Sequence, residues 1–127
     1  MRSPRILSLG VALSLLAIGA CDSGPSGPGS LVGRVTGEAL GGVVLEVTGV
    51  GIVGFGGRGN TQAYGAQMAR PENTHRVILI DPQGGELLFE IQVEDVGMDL
   101  PVIIVMTATG DDNVTRLTAG VDVRVER

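Results

Sequence analysis

Lysine and tryptophan are absent from this chain of 127 residues, and cysteine, histidine and tyrosine occur once each. Each absence removes a class of function. A single cysteine closes no disulfide within the chain, and one cysteine with one histidine falls short of a Cys/His zinc site. Nine arginines stand against fourteen acids, for a formal charge of −5, the reverse of the basic stripe that a nucleic-acid binder carries. From Leu31 to Arg127 there is no serine, cysteine or lysine, so the common nucleophiles are missing. His75 has no second imidazole with which to divide acid and base roles. A hydrolase built on carboxylates alone would want a deep cleft and aromatic platforms, and Phe55, Tyr64 and Phe89 are the only aromatics. The chain is therefore expected not to be an enzyme and not to bind nucleic acid. Its length suits one domain of ordinary size, and no internal repeat is evident.

The first residues carry the most specific signal. Arg2 and Arg5 precede an apolar run from Ile6 to Ile18, broken only by Ser8, Gly10 and Ser14. As a helix this run rises roughly 20 Å, short of the roughly 30 Å hydrocarbon core, which favours an export signal over a permanent span. The run closes in Leu16-Ala17-Ile18-Gly19-Ala20-Cys21. An aliphatic residue three before the cysteine, with small residues at the two positions before it, resembles the lipobox of bacterial lipoproteins. The resemblance implies cleavage between Ala20 and Cys21, diacylation of the Cys21 thiol and, often, acylation of the new amino group. Cys21 would then be a lipid anchor and the protein would sit on a membrane of the bacterial cell envelope. Asp22 leaves open which membrane leaflet is used. The alternative is an ordinary signal peptide cut at an Ala-x-Ala-like site. The resemblance covers residues 1–22 only.

Ser23 to Ser30 is a Gly/Ser/Pro tract with nothing to build a core, so it reads as a flexible spacer holding a domain off the bilayer. The expected organisation is a signal peptide over 1–20, a lipidated cysteine and linker over 21–30, and one domain over 31–127. That domain holds 16 Val, 6 Ile and 8 Thr, a strand-forming composition. Period-2 alternation is plain at Val43, Leu45 and Val47 against Val44, Glu46 and Thr48, at Leu87, Phe89, Ile91 and Val93 against Glu86, Leu88, Glu90, Gln92 and Glu94, and at Val121, Val123 and Val125 against Asp122, Arg124 and Glu126. Val102 to Met106 is apolar on both faces, and is read as a central strand or one whose second face meets a partner. Strands are expected at Leu31–Thr36, Val43–Thr48, weakly at Gln62–Met68, and at Arg76–Ile80, Glu86–Val93, Val102–Thr109 and Val121–Val125. Gly41-Gly42, Asp81–Gly85 and Gly110–Asn113 supply turn chemistry. About seven short strands predict an all-β fold, a small antiparallel two-sheet sandwich with an aliphatic core. In strand number and spacing it is loosely similar to bacterial cohesin and immunoglobulin-like modules.

Several local patterns invite a function. Gly49-Val-Gly51-Ile-Val-Gly54 spells G-x-G-x-x-G after a strand, but the dinucleotide fingerprint needs a helix to start there. Phe55-Gly-Gly-Arg-Gly will not sustain one, so nucleotide binding is not expected. With seven glycines between Gly49 and Gly65, the stretch reads as a flexible loop. Its Phe55, Arg58, Asn60, Gln62 and Tyr64, beside the Arg70–His75 turn, form the expected contact surface for a protein partner in the envelope. Asp111, Asp112 and Asn113 offer oxygen ligands for Ca²⁺ but equally make a hairpin turn. Glu94, Asp95 and Asp99 form a second acidic corner. Glu86, Glu90 and Glu94 share one strand face about 14 Å apart at each step, too far for a glycosidase carboxylate pair, and read as a solvated face. No cofactor is expected beyond the lipid. The reading is a lipid-anchored, non-catalytic interaction or structural module, with a Ca²⁺- or glycan-binding module as the alternative.

Overall fold

The computed structural model describes residues 24–127, which form two antiparallel sheets packed face to face. Nine strands follow in order: β1 (Gly29–Thr36), β2 (Leu40–Thr48), β3 (Ile52–Gly57), β4 (Gln62–Gln67), β5 (Thr74–Ile80), β6 (Leu87–Val93), β7 (Val102–Gly110), β8 (Thr115–Arg116) and β9 (Asp122–Glu126). One sheet has the order β3-β6-β1-β9 and the other β4-β5-β2-β7-β8. The alternating sequences form strands because each can bury one face. Leu31 and Val35, Leu87, Phe89 and Ile91, and Val43, Leu45 and Val47 turn inward in step and are buried, together with Val77 and Leu79. Val121, Val123 and Val125 are half-buried against that core.

One ring organises the centre. Gly33 on β1 lies opposite Phe89 on β6, and a Cβ on Gly33 would run into the Phe89 ring. Phe89 is the largest fully buried side chain, and it occupies the space that glycine leaves. The remaining core is aliphatic, as the composition requires.

The structure corrects four expectations. The glycine-rich stretch from Gly49 to Gly65 is not all loop: before the strand expected from Gln62, now β4, it also holds β3, and the two belong to different sheets and are joined by a tight turn in which Thr61 N–H donates to the Arg58 carbonyl (3.1 Å). Gly41 and Gly42 are not a connector but lie inside β2, where a Cβ on Gly41 would stand 2.7 Å from the Gly110 carbonyl oxygen. The glycine is required there by the close approach of a neighbouring backbone.

The linker is the third. It does not run free to Ser30, because β1 begins at Gly29 and the chain is tied earlier still. Gly27 N–H donates to Asp95 Oδ1 (3.0 Å), while Val96 N–H donates to the Gly27 carbonyl (2.9 Å). Fourth, β7 lies between β2 and β8 but is not covered like a central strand. β8 pairs only with Ala108 and Thr109, so among the described residues the stretch from Val102 to Thr107 pairs with a strand on one side only.

Gly33→Ala is expected to destabilise the protein by about 1–3 kcal/mol through overpacking, and Phe89→Ala by about 3–5 kcal/mol through the cavity it leaves. In the pair Gly33→Ala/Phe89→Leu the smaller side chain makes room for the methyl group. Its cost in urea unfolding should therefore fall below the sum of the costs of Gly33→Ala alone and Phe89→Leu alone.

Candidate functional site

The five residues expected to form one contact surface do not converge. Phe55, on β3, is half-buried; its ring packs against Gly65 and meets His75 edge-on at 5.4 Å between centroids. Arg58 turns to the outer face of the four-stranded sheet, 3.6 Å from Glu90. Asn60 is exposed in the turn. Gln62 and Tyr64 lie on β4 in the other sheet, where the Tyr64 hydroxyl donates to Gln62 Oε1 (3.0 Å). Only these last two are brought together on one outer face. After Gly51, which takes a left-handed backbone (φ 77°), the G-x-G-x-x-G pattern continues as a strand. No helix N-terminus forms there to receive a phosphate.

The remaining polar patterns have local partners. Asp112 Oδ1 accepts from Val114 N–H (3.1 Å) and lies 3.1 Å from Arg116 Nη2. Asn113 adopts the left-handed backbone (φ 63°) that asparagine tolerates in a tight turn. The Val114 N–H first, and the Arg116 guanidinium second, hold the Asp112 carboxyl below the usual carboxylate range. Asp111, Asp112 and Asn113 thus close the β7–β8 hairpin, and among the described residues no cluster of three His, Cys, Asp or Glu side chains is arranged to hold a metal ion. In the second acidic corner, Asp95 fixes the linker and also accepts from Gly97 N–H (2.8 Å). Glu86 is 2.7 Å from Arg34, so the acidic strand face is in part a row of ion pairs. Cys21 and Ala20 lie outside the described residues.

What the sequence reading did not assemble is the outer face of the five-stranded sheet. Tyr64, Ile78 and Val44 stand side by side on β4, β5 and β2. In the next row Ile80 faces Gly42, and Gly42 faces Thr109. Because Gly42 has no side chain, a groove of about 480 Å³ opens there, walled by Val44, Ile80 and Thr109, with Asp81, Asp111 and Asn113 along it. Beyond the Arg76–Glu46 ion pair (2.9 Å) the face is apolar again at Ile104 and Val102. Tyr64 is 56%, Val102 65% and Ile104 55% exposed. Such a face can take an apolar surface or an extended chain. Its signal in the sequence was the pair of runs, Val77 to Ile80 and Val102 to Met106, that are apolar on the wet side as well as the dry one.

The lowered pKa of Asp112 means that its bond to the hairpin stabilises the folded chain at neutral pH. That stabilisation is lost as pH falls through the lowered value. In an NMR titration, Asp112 is expected to titrate below the usual carboxylate range. Arg116→Gln should move it only part of the way up, because the Val114 N–H remains.

Comparison with protein-family models, with curated proteins and with solved structures found no match for this chain.

Proposed function

We propose that this chain is a bacterial lipoprotein, anchored through Cys21, that displays a non-catalytic β-sandwich as an interaction or structural module in the cell envelope. The observation that carries the reading is the position of the only cysteine, directly behind Leu16-Ala17-Ile18-Gly19-Ala20 and just ahead of the folded domain. Gly27 is already bonded to that domain, so the six peptide steps from Cys21 to Gly27 reach at most about 20 Å. A lipid at Cys21 would therefore hold the sandwich close to the bilayer. Two or three acyl chains give stable membrane attachment, which one chain does not.

A non-catalytic role is supported by the lack of serine, cysteine and lysine from Leu31 onward. The interaction surface best supported is the outer face of the five-stranded sheet, where Tyr64, Ile78, Ile80, Val102 and Ile104 are exposed together. Charged surfaces elsewhere on an acidic chain keep it soluble but select no partner.

The test is metabolic labelling with an alkyne fatty acid in bacteria producing the full chain. The wild type is expected to carry label, to begin at acylated Cys21 by intact mass, and to sediment with membranes. Cys21→Ser should lose the label and leave the membrane fraction. Unlabelled wild type, or equal membrane recovery of Cys21→Ser, overturns the anchor.

A further inference from the structure

The linker joins the sandwich at one end, and the register shows what else lies there. Gly29, at the start of β1, pairs with Val93 at the end of β6, and Ile52, at the start of β3, pairs with the same residue. Thr48, at the end of β2, pairs with Val102 at the start of β7. This end is therefore closed by the turn between β2 and β3 and by the turn between β6 and β7. The two turns touch: Glu94 N–H donates to the Gly51 carbonyl (2.9 Å), and a Cβ on Gly49 would stand 3.1 Å from Pro101 Cβ. The linker is tied into the second of them, where Gly27 bonds to Asp95 and Val96. Arg127 braces the same turn by donating to the Val96 carbonyl (3.0 Å) and the Met98 carbonyl (2.8 Å).

Four large apolar side chains are exposed along this rim. Val50, at the tip of the first turn, is 63% exposed, Met98 and Leu100 are exposed in the second, and Val102 stands at the corner with the outer face of the five-stranded sheet. We infer that this end is the surface the protein sets on a lipid bilayer, with Val50, Met98, Leu100 and Val102 seated at the boundary of headgroups and acyl chains. The inference rests on the reading of Cys21 as the lipid anchor. The tether selects lipid over a protein partner. Cys21 lies within about 20 Å of Gly27 along the chain, and Gly27 is bonded into the rim itself. Acyl chains at Cys21 thus hold these side chains beside the bilayer at a high effective concentration, which a diffusing partner lacks.

Other surfaces fit worse. The opposite end exposes Val114 and Leu117, but the eight residues of β1, at about 3.4 Å each, put it about 27 Å away, beyond the reach of the tether. The outer face of the five-stranded sheet would bring the Arg76–Glu46 ion pair against lipid and strip its water. Standing on its end, the sandwich keeps that face upright and open to a partner. Charge then sets the headgroup. Glu72, Glu94, Asp95 and Asp99 outnumber Arg70 and Arg127 at this end, so it favours zwitterionic lipid bearing an ammonium group over anionic lipid.

An acylated Cys21 has no free thiol, so the wild-type chain should take no maleimide dye and an introduced cysteine is the only one labelled. The full chain is purified from bacterial membranes, labelled with nitrobenzoxadiazole at Val50→Cys, Ile78→Cys or Gln83→Cys, and reconstituted into vesicles of phosphatidylethanolamine and phosphatidylcholine carrying a nitroxide on the acyl chain. Quenching is expected at position 50, about threefold or more above that at position 78 on the sheet face and position 83 at the far end. Adding Met98→Asp or Leu100→Asp, both at exposed positions, should remove most of the quenching at position 50 and leave the melting temperature unchanged. If one aspartate lowers the melting temperature, the other decides. Replacing phosphatidylcholine with phosphatidylglycerol should weaken the quenching. Equal quenching at all three positions, stronger quenching at 78 or 83, or quenching that survives both aspartates or grows with phosphatidylglycerol overturns the inference. Label on the wild type shows a free Cys21 and removes the anchor together with this inference. An unlabelled wild type without quenching at position 50 removes the inference alone.

Discussion

The sandwich depends on the meeting of Phe89 with Gly33. In a core of valine, leucine and isoleucine, one ring supplies the bulk that fills the centre, and it fits only because the residue facing it has no side chain. That contact fixes how β1 and β6 sit against each other, and their seven-residue register from Gly29↔Val93 to Val35↔Leu87 follows from it. Since a one-residue slip would reverse every side chain, the ring and the glycine together hold Leu31, Val35, Leu87 and Ile91 in the core. β9 then adds its valines to the other side of β1. The five-stranded sheet packs its own aliphatic layer, Val43, Leu45, Val47, Val77 and Leu79, against the same centre.

Much of this was legible in the chain. Alternation in Val43 to Thr48 and Leu87 to Val93 gives both the strands and their buried faces, because a half-wet strand must repeat every two residues. β3 was not legible, since Ile-Val-Gly-Phe-Gly-Gly has three glycines and little intrinsic strand preference. It is held by β6 alongside it and by glycines placed where backbones or rings come close: at Gly57 a Cβ would strike the Thr61 carbonyl, and at Gly65 the Phe55 ring. The tie between Gly27 and Asp95 was equally hidden, because it joins residues 68 positions apart. The composition of the linker shows only what its own side chains do.

The candidate surface shows where a one-dimensional reading stops. The loop residues chosen from sequence were close along the chain, yet Phe55, Arg58 and Tyr64 point to the core, to one outer face and to the other. The apolar face draws one or two residues from each of β4, β5, β2 and β7, and only the register makes neighbours of them. Val102 to Met106 is apolar on both sides. A run of that kind is the same whether the second side is covered by its own fold or left open. Here the second side is open, since Val102, Ile104 and Met106 are exposed.

The position of Tyr64 makes the protein optically unusual. With no tryptophan and one tyrosine, its near-ultraviolet absorbance and intrinsic fluorescence come almost wholly from a single phenol on the outer face of the five-stranded sheet. The core, aliphatic but for Phe89, is nearly silent. Emission from this chain therefore reports the environment of that face and the hydrogen bond to Gln62, while the state of the interior must be followed by circular dichroism or by the backbone amides.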